Sequence, residues 1–242
     1  MLQEIFAQLG QTLTRLGEKP VAAIDIGSLT VRFDYMTLIM SWVVMVFLVA
    51  LALLLRRGLR QDVEAKPTRV QAALEALMDL LQGQLTSSFS SARLAREMFP
   101  FISTLFLFVL VANWLSVVPY LDSPTRDLNV TLSLALLVFA MSQILAIRAK
   151  GARGFLKGFV EPYPFMLPLN LVGEISKPLS HAFRLFGNVF AGSILVSVVM
   201  AKFAPVVVPV GLNAFYGLFM GGIQAFVFAI LAVAYINVAV EG

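Results

Sequence analysis

Long apolar runs dominate the pattern of hydrophobic and polar positions along the chain. Three of them, 36–55, 99–118 and 130–147, contain no charged residue. Each is long enough to cross a hydrocarbon core of about 30 Å as a helix that rises about 1.5 Å per residue. The three runs therefore predict membrane-spanning helices, the first of which occupies 35–55.

A longer apolar region, 164–240, follows the third run. Its first half, 168–202, would extend roughly 50 Å as a helix, so it must tilt strongly or break. Pro178 offers a place for a kink because proline lacks the N–H of an interior helix bond. We predict an all-α integral membrane protein with about five hydrophobic helices, which ends in a long tilted helical hairpin.

The connector 56–98 has a different pattern, in which apolar and polar positions recur at helical spacing. Gln71, Glu75 and Asp79 lie on one side of the expected helix, and the apolar side is formed by Val70, Ala73, Leu74, Leu77, Leu80, Leu81 and Leu85. We predict an amphipathic interfacial helix that lies along the membrane or on a partner. A helix that packs against its own connector fits the pattern equally well.

Basic residues cluster at one end of the spans, which indicates topology. Three arginines follow the first run directly, at positions 56, 57 and 60, and four basic residues lie in 148–157. The loop 119–129 has one basic residue, and 1–34 is mixed in charge. By the positive-inside rule, 56–98 and 148–163 are cytoplasmic and the N-terminus is outside. No apolar block precedes a small-residue cleavage site in the first thirty residues, so we expect no cleaved signal peptide.

The composition excludes several classes of function. Hydrophobic residues make up 59% of the 242 positions and charged residues 13%, far from the values of a soluble domain. The net charge of +4 comes mainly from loops beside the spans, so we expect no nucleic-acid partner. The chain has no cysteine and a single histidine, which argues against disulfides, thiol chemistry and a metal centre. We expect neither a metal nor a cofactor.

Arg184 stands out because its guanidinium stays protonated inside an apolar region and must be paired, hydrated or drawn to the headgroups. Spacings of three, four, three and four residues gather Glu174, Lys177, His181, Arg184 and Asn188 within about a quarter of a helix circumference. One hypothesis is that Arg184 faces a cavity and controls cation passage by attracting a carboxylate on a moving partner. The alternative is that Arg184 and Lys177 snorkel to the headgroups.

Further polar residues and glycines occur within the apolar runs. His181 fits either a packing role or a proton relay. Asn213 and Gln224 are eleven residues apart, or three helical turns, so they can share a side. Gly217 and Gly221 form a G-x-x-x-G spacing that allows close helix contact. Three amides fit hydrogen bonding between helices: Asn113, Asn188 and Gln224.

Four strings resemble one protein family. KPLSHAFRLFGNVFAG at 177–192 closely resembles the signature of subunit a of F-type ATP synthases. NWLSVVP at 113–119, PTRDLNVT at 124–131 and QAFVF at 224–228 also resemble that family and follow its order. The resemblance covers 113–228.

The resemblance implies a membrane stator that faces the rotating c-ring, with two offset half-channels joined only through the ring's carboxylates. Arg184 matches the family's essential arginine, and Asn188 and Gln224 match polar positions near the route. Glu174 matches an acidic position that we place on the cytoplasmic access path. The implied partners are the c-ring, the b or b′ subunits of the peripheral stalk, the rest of the F1Fo complex, membrane lipid, and H⁺ or Na⁺. The implied location is a bacterial inner (plasma) membrane, favoured over a thylakoid-type membrane.

The chain departs from the family at two positions. Where several members carry an acidic or histidine pair, this chain has Ser193 and Gly217. The outer half-channel is then expected to use water together with Asn188, Ser193, Asn213 and Gln224.

A stand-alone secondary transporter is the competing hypothesis. Such folds often contain paired repeats, whereas the halves of this chain have no evident repeat and few acids. No phosphate-cradling G-x-x-x-x-G-K-[ST] string occurs, so we expect no active site of the chain's own. Copurification with a ring of small hairpin subunits would distinguish the stator from the transporter.

Overall fold

The computed structural model describes residues 21–26, 29–58, 69–86, 89, 91–118, 121–160, 163–202 and 207–241. Within these ranges, five helices are long and apolar enough to cross a membrane. This confirms the predicted all-α membrane fold. The helices are α1 Tyr35–Gly58, α2 Arg69–Thr86, α3 Ala92–Leu115, α4 Leu128–Val160, α5 Leu167–Lys202, α6 Val207–Ala214 and α7 Gly221–Glu241, with a π-helix at Phe215–Met220 and short 3₁₀ turns at Pro124–Arg126 and Pro164–Met166.

A two-stranded hairpin precedes the helices and was not predicted. Strands β1 Val21–Ile26 and β2 Leu29–Asp34 pair antiparallel, with Ile26 opposite Leu29. The alternation of apolar and polar residues in LTVRFD is the period-two signal of a strand. Asp34 then caps α1, because its carboxylate accepts the backbone N–H of Met36 at 3.0 Å and the hydroxyl of Thr37 at 2.7 Å.

Helix α2 is the predicted amphipathic helix. It packs against α3 and α1, and Leu81 is buried in a cluster that includes Phe89 and Ala95. Glu75 and Asp79 are exposed on its other side. These contacts support packing against the chain itself, while a contact with membrane or partner stays a prediction.

Helices α3 and α4 extend furthest beyond their predicted apolar spans into charged sequence. Helix α3 begins at residue 92 rather than 99, and its exposed first turns carry an Arg93–Glu97 pair with 3.0 Å between Nε and Oε1. Helix α4 continues past residue 147 to Val160, through a break at Gly151 with φ 73° and ψ 159°. Gly151 suits this break because a residue without Cβ adopts positive φ at little cost.

Helix α7 forms the centre of the bundle. It packs between α3 and α4, and α5 packs along α4. Ala225, Ala229 and Ala232 on α7 are fully buried, and Phe228 and Ile236 fill the space between the helices. Small residues at these positions allow the neighbouring backbones to approach closely.

The two arms of the long hairpin differ in regularity. Helix α5 runs unbroken through Pro178 for 36 residues, which leaves tilt rather than a break as the way to place roughly 50 Å of helix in a membrane. The second arm is interrupted by the π-helix, whose wider turn rotates the following helix by roughly 100°, the angle of one α-helical residue. The regular three-turn spacing that would let Asn213 and Gln224 share a side is therefore interrupted, and of the two only Asn213 lines the loop cavity described below.

Candidate functional site

Two polar cavities lie along α5, one toward each end of the helix. The loop cavity, of about 210 Å³, forms where α5, the end of α3, residues 121–126 and the π-helix meet. It brings together four of the predicted site residues, which are Asn113, Asn188, Ser193 and Asn213. Ser116 and Ser197, which sequence reasoning did not single out, also line it.

A network of buried hydrogen bonds builds the wall of the loop cavity. Asn113 is 1% exposed; its amide nitrogen donates to the carbonyl of Gly221 at 2.9 Å, and its oxygen accepts the hydroxyl of Thr125 at 2.7 Å. Asn213 donates to the carbonyl of Ser116 at 3.0 Å. These amides join α3, the loop and the second arm of the hairpin, as expected of helix-to-helix hydrogen bonds.

Two glycines bring the π-helix close to α3. A Cβ on Gly217 would lie 2.3 Å from Cγ2 of Val117, and one on Gly221 would lie 2.9 Å from Cβ of Asn113. The close contact predicted from the G-x-x-x-G spacing is confirmed. Position 217 also has no room for an acidic or histidine side chain in this packing, which gives the departure from the family pattern a steric reason.

A charged pair at the loop cavity was missed by sequence reasoning. Nη1 of Arg126 donates to Oδ1 of Asp122 at 2.8 Å, and both residues line the cavity. The Asp122 side chain is 80% exposed and the Arg126 side chain 20%. The sequence does place these opposite charges four residues apart. That spacing predicts an ion pair in a helix but not in a loop.

The kink cavity, of about 660 Å³, lies beside Gly151 between α4 and α5. Glu174 and Lys177 line it, together with Gln143 and Lys150 of α4. The Glu174 carboxylate accepts hydrogen bonds from the Lys177 ammonium and, at 3.0 Å, from Nε2 of Gln143. Gln143 was missed, although an amide inside the apolar run 130–147 was a signal for it.

His181 is buried between the cavities. It is 1% exposed, and its Nε2 bonds to the carbonyl of Phe228 at 3.1 Å. Its ring packs 3.8 Å from the ring of Phe228 and 5.4 Å from that of Tyr235. Nδ1 has no hydrogen-bond partner among the described residues. The ring contacts support the packing role, and the proton relay stays a hypothesis.

Arg184 is exposed on α5 and directly follows Phe183, which is 53% exposed. It forms no hydrogen bond or ion pair with any described residue. Glu174 is ten residues away along the helix, roughly 15 Å, and its carboxylate is already bonded to Lys177.

The five polar residues of α5 therefore lie in several environments rather than along one cavity. Two lie at the kink cavity, His181 is buried, Arg184 is exposed, and Asn188 lies at the loop cavity. The reason is that a quarter of a helix circumference spans several packing environments on a helix this long. Gln224 lines neither cavity; it is 7% exposed, and its Nε2 has no partner within the described part of the chain.

This geometry defines a class, a multi-pass membrane protein with an exposed arginine between two separate polar cavities. The family model for the ATP synthase A chain matches residues 38–237. The chain belongs to this family, which confirms the resemblance found in the sequence.

Relatives with curated descriptions match most of the chain. ATP synthase subunit a 1 of Crocosphaera subtropica is 40% identical over 200 residues, which cover 83% of this chain and 84% of the relative. The sodium ion specific ATP synthase subunit a of Propionigenium modestum is 37% identical over 219 residues, covering 83% and 72%. ATP synthase subunit a 1 of Chlorobaculum parvum is 36% identical over 204 residues, covering 84% and 88%.

Proposed function

We propose that this chain is the ion-conducting stator subunit of a rotary F1Fo ATP synthase, in which Arg184 separates two half-channels. Its membership of the ATP synthase A chain family supports a place in that complex and in the membrane. The transported ion is H⁺ or Na⁺, and the chain carries no ATP chemistry of its own.

The separation of the two cavities is the observation that carries this proposal. Along α5 the kink cavity ends at Lys177 and the loop cavity begins at Asn188. These positions are eleven residues apart, roughly 16 Å of helix, and buried His181 lies between them. Neither of the two cavities extends across this interval, so we infer that the ion travels on a carrier that moves past it.

The exposed side of α5 is suited to meet that carrier. The exposed surface of α5 in the turns before Arg184 is largely apolar, as the exposure of Ile175, Leu179 and Phe183 indicates, so a hydrophobic helix ring fits it. An unpaired guanidinium is costly inside a membrane, and a carboxylate on the ring would supply its counter-charge. At about 4 Å and an effective dielectric of about 20, the pair is attracted by about 4 kcal/mol. This attraction favours the ionised carboxylate and thereby the release of its bound ion.

The orientation follows from the positive-inside rule. The kink cavity lies beside the basic segment 148–157, so we place it and Glu174 on the cytoplasmic side. The loop cavity and the N-terminus then lie outside, and the membrane is a bacterial inner membrane. Helix α1 has a largely exposed apolar surface, which is available for lipid or for the b subunits of the peripheral stalk.

The variant Arg184→Ala tests this function. In vesicles containing the purified complex, we expect it to abolish ATP synthesis driven by an ion gradient, while the c-ring still copurifies. Arg184→Lys should rescue poorly because an ammonium lacks the planar guanidinium fork. Arg153→Ala, which removes an exposed arginine that lines neither cavity, is the control and should remain active. Full coupled synthesis by Arg184→Ala would refute the assignment.

A further inference from the structure

We propose that the Asp122 carboxylate attracts cations to the loop cavity. The Arg126 guanidinium partly neutralises this carboxylate and so weakens the attraction. The inference rests on the proposed function, in which this cavity is the outer half-channel. In this inference, the Asp122 carboxylate supplies the negative charge that positions 193 and 217 lack.

The charges around the loop cavity make Asp122 the candidate. Among the described residues that line it, Asp122 and Arg126 are the charged ones, and the others are polar or apolar. Ser193 is neutral, and the 2.3 Å approach of a Cβ at Gly217 to Val117 leaves no room for an acid there. A cation that enters this cavity therefore meets one carboxylate and one guanidinium of the described part of this chain.

The two charges differ in how they face the solvent. The Asp122 side chain is 80% exposed, whereas the Arg126 side chain is 20% exposed. A carboxylate that lines a cavity while remaining largely exposed lies at the cavity opening. Arg126 holds it there through the 2.8 Å bond between Nη1 and Oδ1.

The backbone beneath this pair is tied to α3. Between the two residues, Ser123 donates to the carbonyl of Ala112 at 2.7 Å and Thr125 donates to Oδ1 of Asn113 at 2.7 Å. Ser123 and Thr125 are both buried. The carboxylate is thus presented at the opening by a fixed support rather than by a free loop.

Removing each partner should shift cation attraction in opposite directions. Without Asp122, an entering cation meets only the Arg126 guanidinium and is repelled. Without Arg126, the carboxylate is no longer neutralised and attracts cations more strongly. Each removal should change the half-saturating cation concentration roughly fivefold. Two unit charges about 4 Å apart in water interact by an energy that corresponds to this factor.

The test uses vesicles containing the complete complex, held at a fixed membrane potential. The concentration of H⁺, or of Na⁺ if Na⁺ supports synthesis, is varied on the side of the loop cavity, and the half-saturating value for ATP synthesis is measured. We expect Asp122→Asn to raise this value roughly fivefold and Arg126→Gln to lower it. The double variant should return toward the wild-type value, and Asp122→Glu, which keeps the charge, should stay close to it.

A matched pair on the same chain serves as control. Arg93 and Glu97 form an exposed i,i+4 ion pair at 3.0 Å that lines neither cavity, so Glu97→Gln should leave the half-saturating concentration unchanged. Unchanged values in Asp122→Asn, or shifts of the same direction in both single variants, would overturn the inference and indicate a structural pair. If Arg184→Ala abolishes synthesis while Asp122→Asn has no effect, this inference fails alone; if Arg184→Ala remains coupled, the proposed function fails.

Discussion

The contact between the π-helix and the end of α3 can be tested by adding a single methyl group at Gly217. A Cβ at this buried position would lie 2.3 Å from Cγ2 of Val117 and 3.0 Å from Oγ of Ser116. Carbon atoms prefer separations of about 3.5–4.0 Å, so Gly217→Ala must push the two segments apart by more than about 1 Å. We expect the variant to be destabilised.

The expected size follows from two opposing terms. Overpacking of a well-packed core costs about 1–3 kcal/mol, while replacing glycine by alanine in a helix returns up to about 1 kcal/mol. The net cost is then about 1 kcal/mol, within a range of about 0–2 kcal/mol. Gly211→Ala is the matched control on the same arm of the hairpin, because a Cβ there has no atom within 4 Å, so only the favourable term remains.

The assay is heating of the detergent-solubilised complex, followed by the temperature at which half of the chain becomes sensitive to protease. Gly217→Ala should lower this midpoint and Gly211→Ala should leave it unchanged or raise it. Adding Val117→Ala to Gly217→Ala should restore part of the loss, because the nearest remaining Val117 atom, Cβ, is 3.6 Å away. A Gly217→Ala midpoint equal to that of Gly211→Ala would refute the reasoning.

Two further predictions concern access to the cavities and the buried network. The chain contains no cysteine, so Ser193→Cys and Gly173→Cys each provide a single thiol. An impermeant maleimide should label the thiol at 193 from the outer side and the thiol at 173 from the cytoplasmic side. Labelling of either thiol from both sides would contradict separate cavities. Asn113→Leu removes the side-chain amide that donates to the carbonyl of Gly221. The folded protein should lose about 1–3 kcal/mol of stability, which lowers the same protease midpoint. An unchanged midpoint would show that this hydrogen bond contributes little.

The sequence by itself determined the spans, because a helix in hydrocarbon satisfies its backbone hydrogen bonds within its own segment. Local apolar length was therefore enough to predict five membrane helices, and the string around Arg184 was enough to predict the family. Helix ends were less predictable. Residues 92–98 and 148–160 continue helices through charged sequence, where hydropathy carries no signal for the boundary.

Only the tertiary structure decided which polar residues meet. Gln143 and Glu174 are 31 residues apart and Asn113 and Gly221 are 108 apart, so neither bond has a local sequence signal. Of Asn213 and Gln224, only Asn213 lines the loop cavity. The packing of α5 on its neighbours buries His181, while Arg184, three residues further along, is exposed. These outcomes depend on the fit between distant surfaces, which periodicity along one helix does not contain.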